Sequence, residues 1–230
     1  MRKQQQVWEA EHANQGTLPT MAHVDPTSGV IFFVEYLKNK LGIQSGRIVD
    51  IGSGKGRNSV YLAEQGFQVD GLEYIQMAID TAVKLAKERG VANKTHFRLA
   101  EMDSAWPFSD ETFDVAIDSF SSIDIETKEG REICRDEMFR TLKKGSYALV
   151  TVCSTDDEWE KELIAQHPGL EPNSCIWPQN GKFQKDYNEP ELREYYKAFE
   201  IVMLKKVTKP AFKLGREGIA TNLWVVLRKK

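Results

Sequence analysis

The segment Asp50-Ile51-Gly52-Ser53-Gly54-Lys55-Gly56 sets a carboxylate directly ahead of three closely spaced glycines. Glycines at such a bend allow positive φ and let a ligand touch bare backbone, and the N-terminus of a following helix favours a polar ligand end. The neighbouring residues discriminate among ligands. A dinucleotide fingerprint requires glycine or alanine at the sixth position counted from Gly52, and Arg57 stands there. A Walker loop requires Ser or Thr after its lysine, and Gly56 follows Lys55. Asp50 would also repel a pyrophosphate, whereas it suits a ligand carrying an ammonium, a sulfonium and no phosphate. S-adenosylmethionine has that charge pattern.

Two more carboxylates lie at distances that suit a nucleoside. Glu73 follows Asp50 by 23 residues, close to the offset of about 20 at which an acidic side chain meets ribose hydroxyls. One carboxylate can accept from two vicinal hydroxyls at once. Farther on, Ala100-Glu101-Met102-Asp103 places Asp103 where it can accept from an adenine amino group, with Met102 or Tyr74 against the ring.

These groups converge only if the chain brings them to one edge. Short apolar runs at 47–51, 67–72, 95–99, 114–117 and 147–152 read as strands, and two late strands are expected near 200–207 and 221–228. Helical stripes lie between them: Val30, Phe33, Val34, Leu37 and Leu41; residues 58–65; Ile75, Ala78, Ile79, Ala82, Leu85 and Ala86; and residues 128–142, with a further helix at 190–199. Such alternation gives an α/β fold, a Rossmann-like doubly wound sheet with right-handed crossovers. Residues 1–27 show no clean period and are expected to form an irregular arm, while 28–152 form the binding core and 153–230 the acceptor side of a single domain. Residues 154–190 are the least predictable, and Trp159, Trp177 and Tyr187 are expected to shape an acceptor pocket there.

The chain resembles the class I S-adenosylmethionine-dependent methyltransferases. The likeness rests on Ile48 to Asn58, Gly71-Leu72-Glu73, Glu101-Met102-Asp103, Pro107 to Asp114 and Phe139 to Gly145. The run Gly-Lys-Gly-Arg-Asn-Ser with Val60-Tyr61-Leu62-Ala63 is similar to tellurite-resistance-type and other small-molecule methyltransferases. The resemblance implies seven strands, mostly parallel, with the last antiparallel. It implies that Gly52, Ser53 and Gly54 bind the methionine part, Glu73 the ribose and Asp103 the adenine. Asp50, Arg57, Asn58, Tyr74, Met102 and Asp118 complete the expected cofactor set. In relatives the N-terminal region often folds over the cofactor as a lid, and Trp8, His12 and His23 fall in it. His23 is the first choice for a base where the acceptor must lose a proton, and Ser119 for a polar contact to the acceptor.

Composition narrows the partners. A formal charge of -3 over 230 residues supplies no general positive field for nucleic acid. The basic stretch Lys205 to Lys213 reads as a solvated hairpin. Cys153 after the fifth strand lacks the partner segment of RNA cytosine methyltransferases, because Asp118-Ser119-Phe120 stands where Pro-Cys is needed. Asp118-Ser119-Phe120-Ser121 also lacks the signature of amino-methylating nucleic-acid enzymes. Three widely spaced cysteines and four scattered histidines suggest neither a disulfide framework nor a metal site. No apolar run approaches the roughly 20 residues of a membrane span. The expectation is a cytoplasmic enzyme, monomer or homodimer, that uses S-adenosylmethionine on a small-molecule acceptor. A cofactor-binding regulatory protein, an NAD(P)-dependent oxidoreductase and an RNA methyltransferase are the alternatives.

Overall fold

The computed structural model describes residues 3–13 and 23–230. In chain order the elements are α1 (Lys3–Ala13), α2 (Ser28–Lys40), β1 (Arg47–Ile51), α3 (Arg57–Glu64), β2 (Gln68–Glu73), α4 (Gln76–Glu88), β3 (Thr95–Leu99) and β4 (Phe113–Ser119). They continue with α5 (Lys128–Thr141), β5 (Leu142–Cys153), α6 (Glu158–Gln166), β6 (Ser174–Ile176), β7 (Phe183–Lys185), α7 (Glu189–Tyr195), β8 (Phe199–Lys213) and β9 (Arg216–Lys229).

Seven strands form one sheet in the order β3-β2-β1-β4-β5-β9-β8. β1 pairs in parallel with both β2 and β4, and β9 lies antiparallel between β5 and β8. The expected α/β doubly wound sheet, parallel but for its last strand, is therefore present. Side chains alternate across it: Ile48 packs with Val30, Phe33, Leu37 and Val60 from α2 and α3 and with Phe67 just ahead of β2, while Val49 and Ile51 pack with Cys134, Met138 and Leu192 from α5 and α7. Both faces are thus covered, which is why β1 reads as a continuous apolar run. Strand order reverses between β1 and β4, and a crevice opens beyond the carboxyl ends of strands at such a point.

Two regions depart from the sequence expectations, and a third, for which no elements were expected, has a definite structure. Residues 3–13 are helical rather than irregular. The stretch is free of Gly and Pro and rich in Gln, Glu and Ala, all compatible with helix, but it has no apolar stripe to reveal it. Residues 23–27, with Pro26, carry neither helix nor strand, and the expectations for residues 1–2 and 14–22, Gly16 and Pro19 among them, lie outside the described residues. β8 and β9 run far beyond their expected limits, through Lys205-Lys206-Val207-Thr208-Lys209-Pro210 to a tight turn at Leu214 (φ 51) and Gly215 (φ 78). Pro210 is tolerated because β8 is an edge strand. Residues 154–190 form α6 and a separate β6–β7 pair.

The glycine bend is fixed by close packing. Gly56 sits at φ 83, and a Cβ there would lie 2.7 Å from the Ala82 Cβ and 3.1 Å from its Cα, so the bend brings α3 against α4. Gly56→Ala combines a disfavoured backbone with a backbone-level clash. It is expected to cost about 3 kcal/mol, read as a lowered urea midpoint at unchanged m. An unshifted midpoint would refute the close approach.

Candidate functional site

β1 carries Asp50 toward the carboxyl edge, and the chain turns through Gly52 (φ 62), Gly54 (φ 53) and Gly56. The turn is moored to β2, because Ser53 N donates to Leu72 O at 2.8 Å. Ser121 Oγ, beyond β4, donates to Gly52 O at 3.2 Å. Side chains are excluded from the turn: a Cβ on Gly52 would stand 2.5 Å from the Ser121 Cβ. The result is a backbone cradle of the kind a methionine-like chain can lie against.

Glu73 ends β2 and aims back at this cradle. Its Oε2 accepts from Gly54 N at 2.9 Å, and its Oε1 accepts from Tyr74 N at 2.8 Å and Ile75 N at 2.9 Å. Asp50 hydrogen-bonds Ser59 Oγ and is 2% exposed. Asp118 accepts from Ser121 N and Ser122 N, each at 3.1 Å. Burial pushes all three carboxyls up. Asp50 reaches about 7, raised by burial and further by the Asp118 and Glu73 charges, against the Ser59 hydrogen bond and Arg57. Glu73 and Asp118 rise for the same first reason, opposed by their backbone N–H donors. Three buried acids around one bend favour a cationic ligand.

Beside the bend lies a cavity of about 530 Å³, walled by Tyr74 after β2, Glu101, Met102 and Asp103 after β3, Asp124 to Thr127 ahead of α5, and Glu129 and Gly130 in its first turn. That volume falls within the usual range of about 300–1,000 Å³ for small-ligand sites. Trp106 Nε1 donates to Met102 O at 3.0 Å and so fixes the wall.

α1 roofs this cavity with Gln4, Gln5 and Trp8. The roof is tied to the turn between β6 and β7: Gln4 Nε2 donates to Gly181 O and Phe183 N to Gln4 Oε1, each at 3.0 Å. Asn180 Nδ2 donates to Glu11 Oε1 at 2.8 Å. At the far end of the helix, the His12 Cε1 lies 4.0 Å from where a Cβ on Gly54 would be.

Next to the roof is a buried polar cluster that the sequence did not reveal. Lys182 Nζ, 5.8 Å from the Trp8 ring and 4.7 Å from that of Trp177, donates to Asp124 Oδ1 at 3.1 Å and Gln184 Oε1 at 2.8 Å. Gln184 Nε2 then bridges Glu160 Oε2 at 2.8 Å and Asp186 Oδ1 at 2.7 Å. Glu160, Cys175 and Asp186 bring one potential ligand atom each within 4.8 Å of one another, but Gln184 and Lys213 already engage the Glu160 oxygens. Lys182, Gln184 and Asp186 alternate along β7 and its two flanking residues, but Asp124, Glu160 and Lys213 join them from distant parts of the sequence.

The structure brings Asp50, Gly52, Ser53, Gly54, Glu73, Tyr74, Met102, Asp103 and Asp118 to one edge of the sheet. Arg57 opens α3 with its charge felt at Asp50. Asn58 has a structural task, since its Oδ1 accepts from Thr27 N at 2.9 Å and joins α2 to α3. Ser119 Oγ shares a hydrogen bond with Thr27 Oγ1 at 3.1 Å and takes one from Thr151 Oγ1 at 3.3 Å. His23 is exposed; the arm histidine at the cradle is His12.

Residues 48–145 match the family model described as a methyltransferase domain. The chain is 31% identical over 129 residues to a 2-heptyl-1-hydroxyquinolin-4(1H)-one methyltransferase of Mycobacteroides abscessus, a match covering 55% of this chain and 54% of that one. It thus spans about half the length of that relative. Among solved structures, a SAM-dependent methyltransferase of Methanosarcina mazei superposes with a TM-score of 0.70 at 23% identity, over 81% of this chain and 93% of that one. The 1,6-didemethyltoxoflavin-N1-methyltransferase of Burkholderia thailandensis, solved with 1,6-didemethyltoxoflavin and S-adenosylhomocysteine, gives 0.70 at 17% identity, over 98% and 88%.

Proposed function

We propose that the chain, whose residues 48–145 match a methyltransferase domain, is a class I, S-adenosylmethionine-dependent enzyme that methylates a small-molecule acceptor. The observation that carries the reading is the continuity of three features along one sheet edge: the glycine cradle, the buried Glu73 carboxylate and the cavity walled by Tyr74, Met102 and Asp103. Gly52, Ser53 and Gly54 would hold the methionine part, Glu73 the ribose and Asp103 the adenine. The Gly52 site, which no larger residue could occupy without displacing Ser121, fits such a ligand.

Bound there, the cofactor supplies an electrophilic methyl whose leaving group is a neutral thioether, so the protein has little acid chemistry to perform. The residues of the chain instead orient and exclude. Holding two reactants in line is worth up to about 7–11 kcal/mol. α1 covers part of the cavity, where Trp8 and Asp124 offer the acceptor an aromatic and a charged wall, with Lys182 and Trp177 packed behind them. The relatives' named acceptors, a hydroxyquinolone and a didemethyltoxoflavin, support a planar heteroaromatic as the first compound class to test.

We read residues 1–230 as one domain with α1 as its lid. The described residues contain no helix long and apolar enough to cross a membrane. Cys134, Cys153 and Cys175 are free and buried, which supports a reducing, cytoplasmic setting.

Calorimetry is expected to show S-adenosylhomocysteine binding and no NADH binding; the reverse pattern would replace the proposal with an oxidoreductase. Release of S-adenosylhomocysteine is then measured across heteroaromatic hydroxyls and amines, thiols, hydroxy acids, chalcogen oxyanions and RNA. Turnover on a small molecule supports the proposal, turnover on RNA alone moves the acceptor class, and binding with no turnover anywhere favours a regulatory protein.

A further inference from the structure

His12 is 7% exposed, and its Nδ1 is a buried nitrogen with no hydrogen-bond partner. A polar atom left in that condition costs about 1–3 kcal/mol, so it calls for an occupant. Three observations say where that occupant lies. The imidazole reaches Gly54, in the middle of the glycine cradle. The same helix roofs the adjoining cavity through Gln4, Gln5 and Trp8. The helix is tied to the turn between β6 and β7 by Gln4 and Glu11, which fixes the ring over the cradle. Burial, and then the Lys55 charge, lower the imidazole to about 4. At neutral pH it is therefore uncharged, with one donor nitrogen and one acceptor nitrogen.

We propose that His12 is a direct contact of the amino-acid end of the cofactor, its Nδ1 hydrogen-bonding the ammonium or carboxylate of the methionyl part when that part lies against the glycine cradle. The inference rests on the cofactor reading above and adds to it a residue on an element outside the sheet. A neutral imidazole suits this ligand end because it can accept from an ammonium or donate to a carboxylate without adding a charge to the site.

The test compares two ligands that share the adenosyl thioether, S-adenosylhomocysteine and 5′-methylthioadenosine, the second lacking the amino-acid end. Calorimetric affinities are measured for the wild type, His12→Leu and His12→Asn, with circular dichroism confirming that each variant is folded. His12→Leu is expected to lose about tenfold in affinity for S-adenosylhomocysteine, the worth of one hydrogen bond, and nothing for 5′-methylthioadenosine. His12→Asn places an amide near the Nδ1 position and is expected to keep most of the preference. Equal weakening of both ligands in His12→Leu, or unchanged affinity for both, would overturn the contact. Failure of the wild type to bind either ligand would instead remove the cofactor reading itself.

Discussion

Glu73→Ala is expected to lower S-adenosylhomocysteine affinity by about 100-fold and to cost about 2–3 kcal/mol of stability. The side chain is 5% exposed and serves three backbone N–H groups, those of Gly54, Tyr74 and Ile75. Position in the sequence alone suggests a ligand contact whose removal spares the fold. The structure shows that the same carboxylate also pins the glycine cradle and the entry to α4. Hydrogen bonds to a charged group are worth about 1.5–3 kcal/mol each, and buried donors left unpaired carry their own cost. Both effects are read on one sample, by calorimetry for affinity and urea unfolding for stability. Glu73→Gln, which keeps an acceptor oxygen, is expected to fall between wild type and alanine on both scales. Unchanged affinity in Glu73→Ala would mean that the ribose is held by another acid.

Asp50 is expected to contribute stability that is lost as pH rises from about 4 to 7, against the usual behaviour of acidic groups and opposite in sense to His12, whose lowered value adds stability as pH rises from about 4. Asp50 has a folded value of about 7 against 3.8 for the free side chain. Between these values the folded protein holds a proton that the unfolded chain has released, so unfolding becomes easier by about 1.4 kcal/mol per pH unit. The contribution is complete below the unfolded value and gone above the folded one. For Asp50 alone it is on the order of 4 kcal/mol across the window. Asp124, at about 6 because burial outweighs its pairing with Lys182, acts in the same sense. Both carboxyls feel Asp118, so their effects do not simply add. Unfolding free energies at pH 4.5 to 8 in the wild type and in Asp50→Asn provide the check. The variant is expected to show a slope shallower by about one proton's worth, and identical slopes would refute the raised value.

The legible part of the site is the part that local rules determine. Asp50 and Glu73 could be placed on one rim because parallel strands of similar length end together, and Ile51 pairs with Leu72 and Asp118 in register. Gly56 could be anticipated from the tight strand-to-helix bend. Lys182 and Asp124, by contrast, meet across 58 residues through the seating of a short hairpin on the sheet edge, which no periodicity encodes. α1 escaped for a related reason. It docks through Gln4, Trp8 and Glu11, mostly polar groups, so its helix carries no hydrophobic stripe. His23 was favoured over His12 because sequence position cannot distinguish an exposed residue from one seated over Gly54.

The polar anchoring of α1 has a consequence for the rhythm of turnover. On the proposed reading, α1 lifts before spent cofactor departs and fresh cofactor enters, and undocking it requires releasing the Gln4 pair, the Asn180–Glu11 bond and the Trp8–Lys182 contact together. Chemistry beneath a closed roof can run ahead of that exchange. Rapid-mixing experiments should then give a fast first equivalent of methylated product followed by a slower steady rate, and loosening the anchor through Gln4→Ala should speed the second phase while weakening the grip on the cofactor.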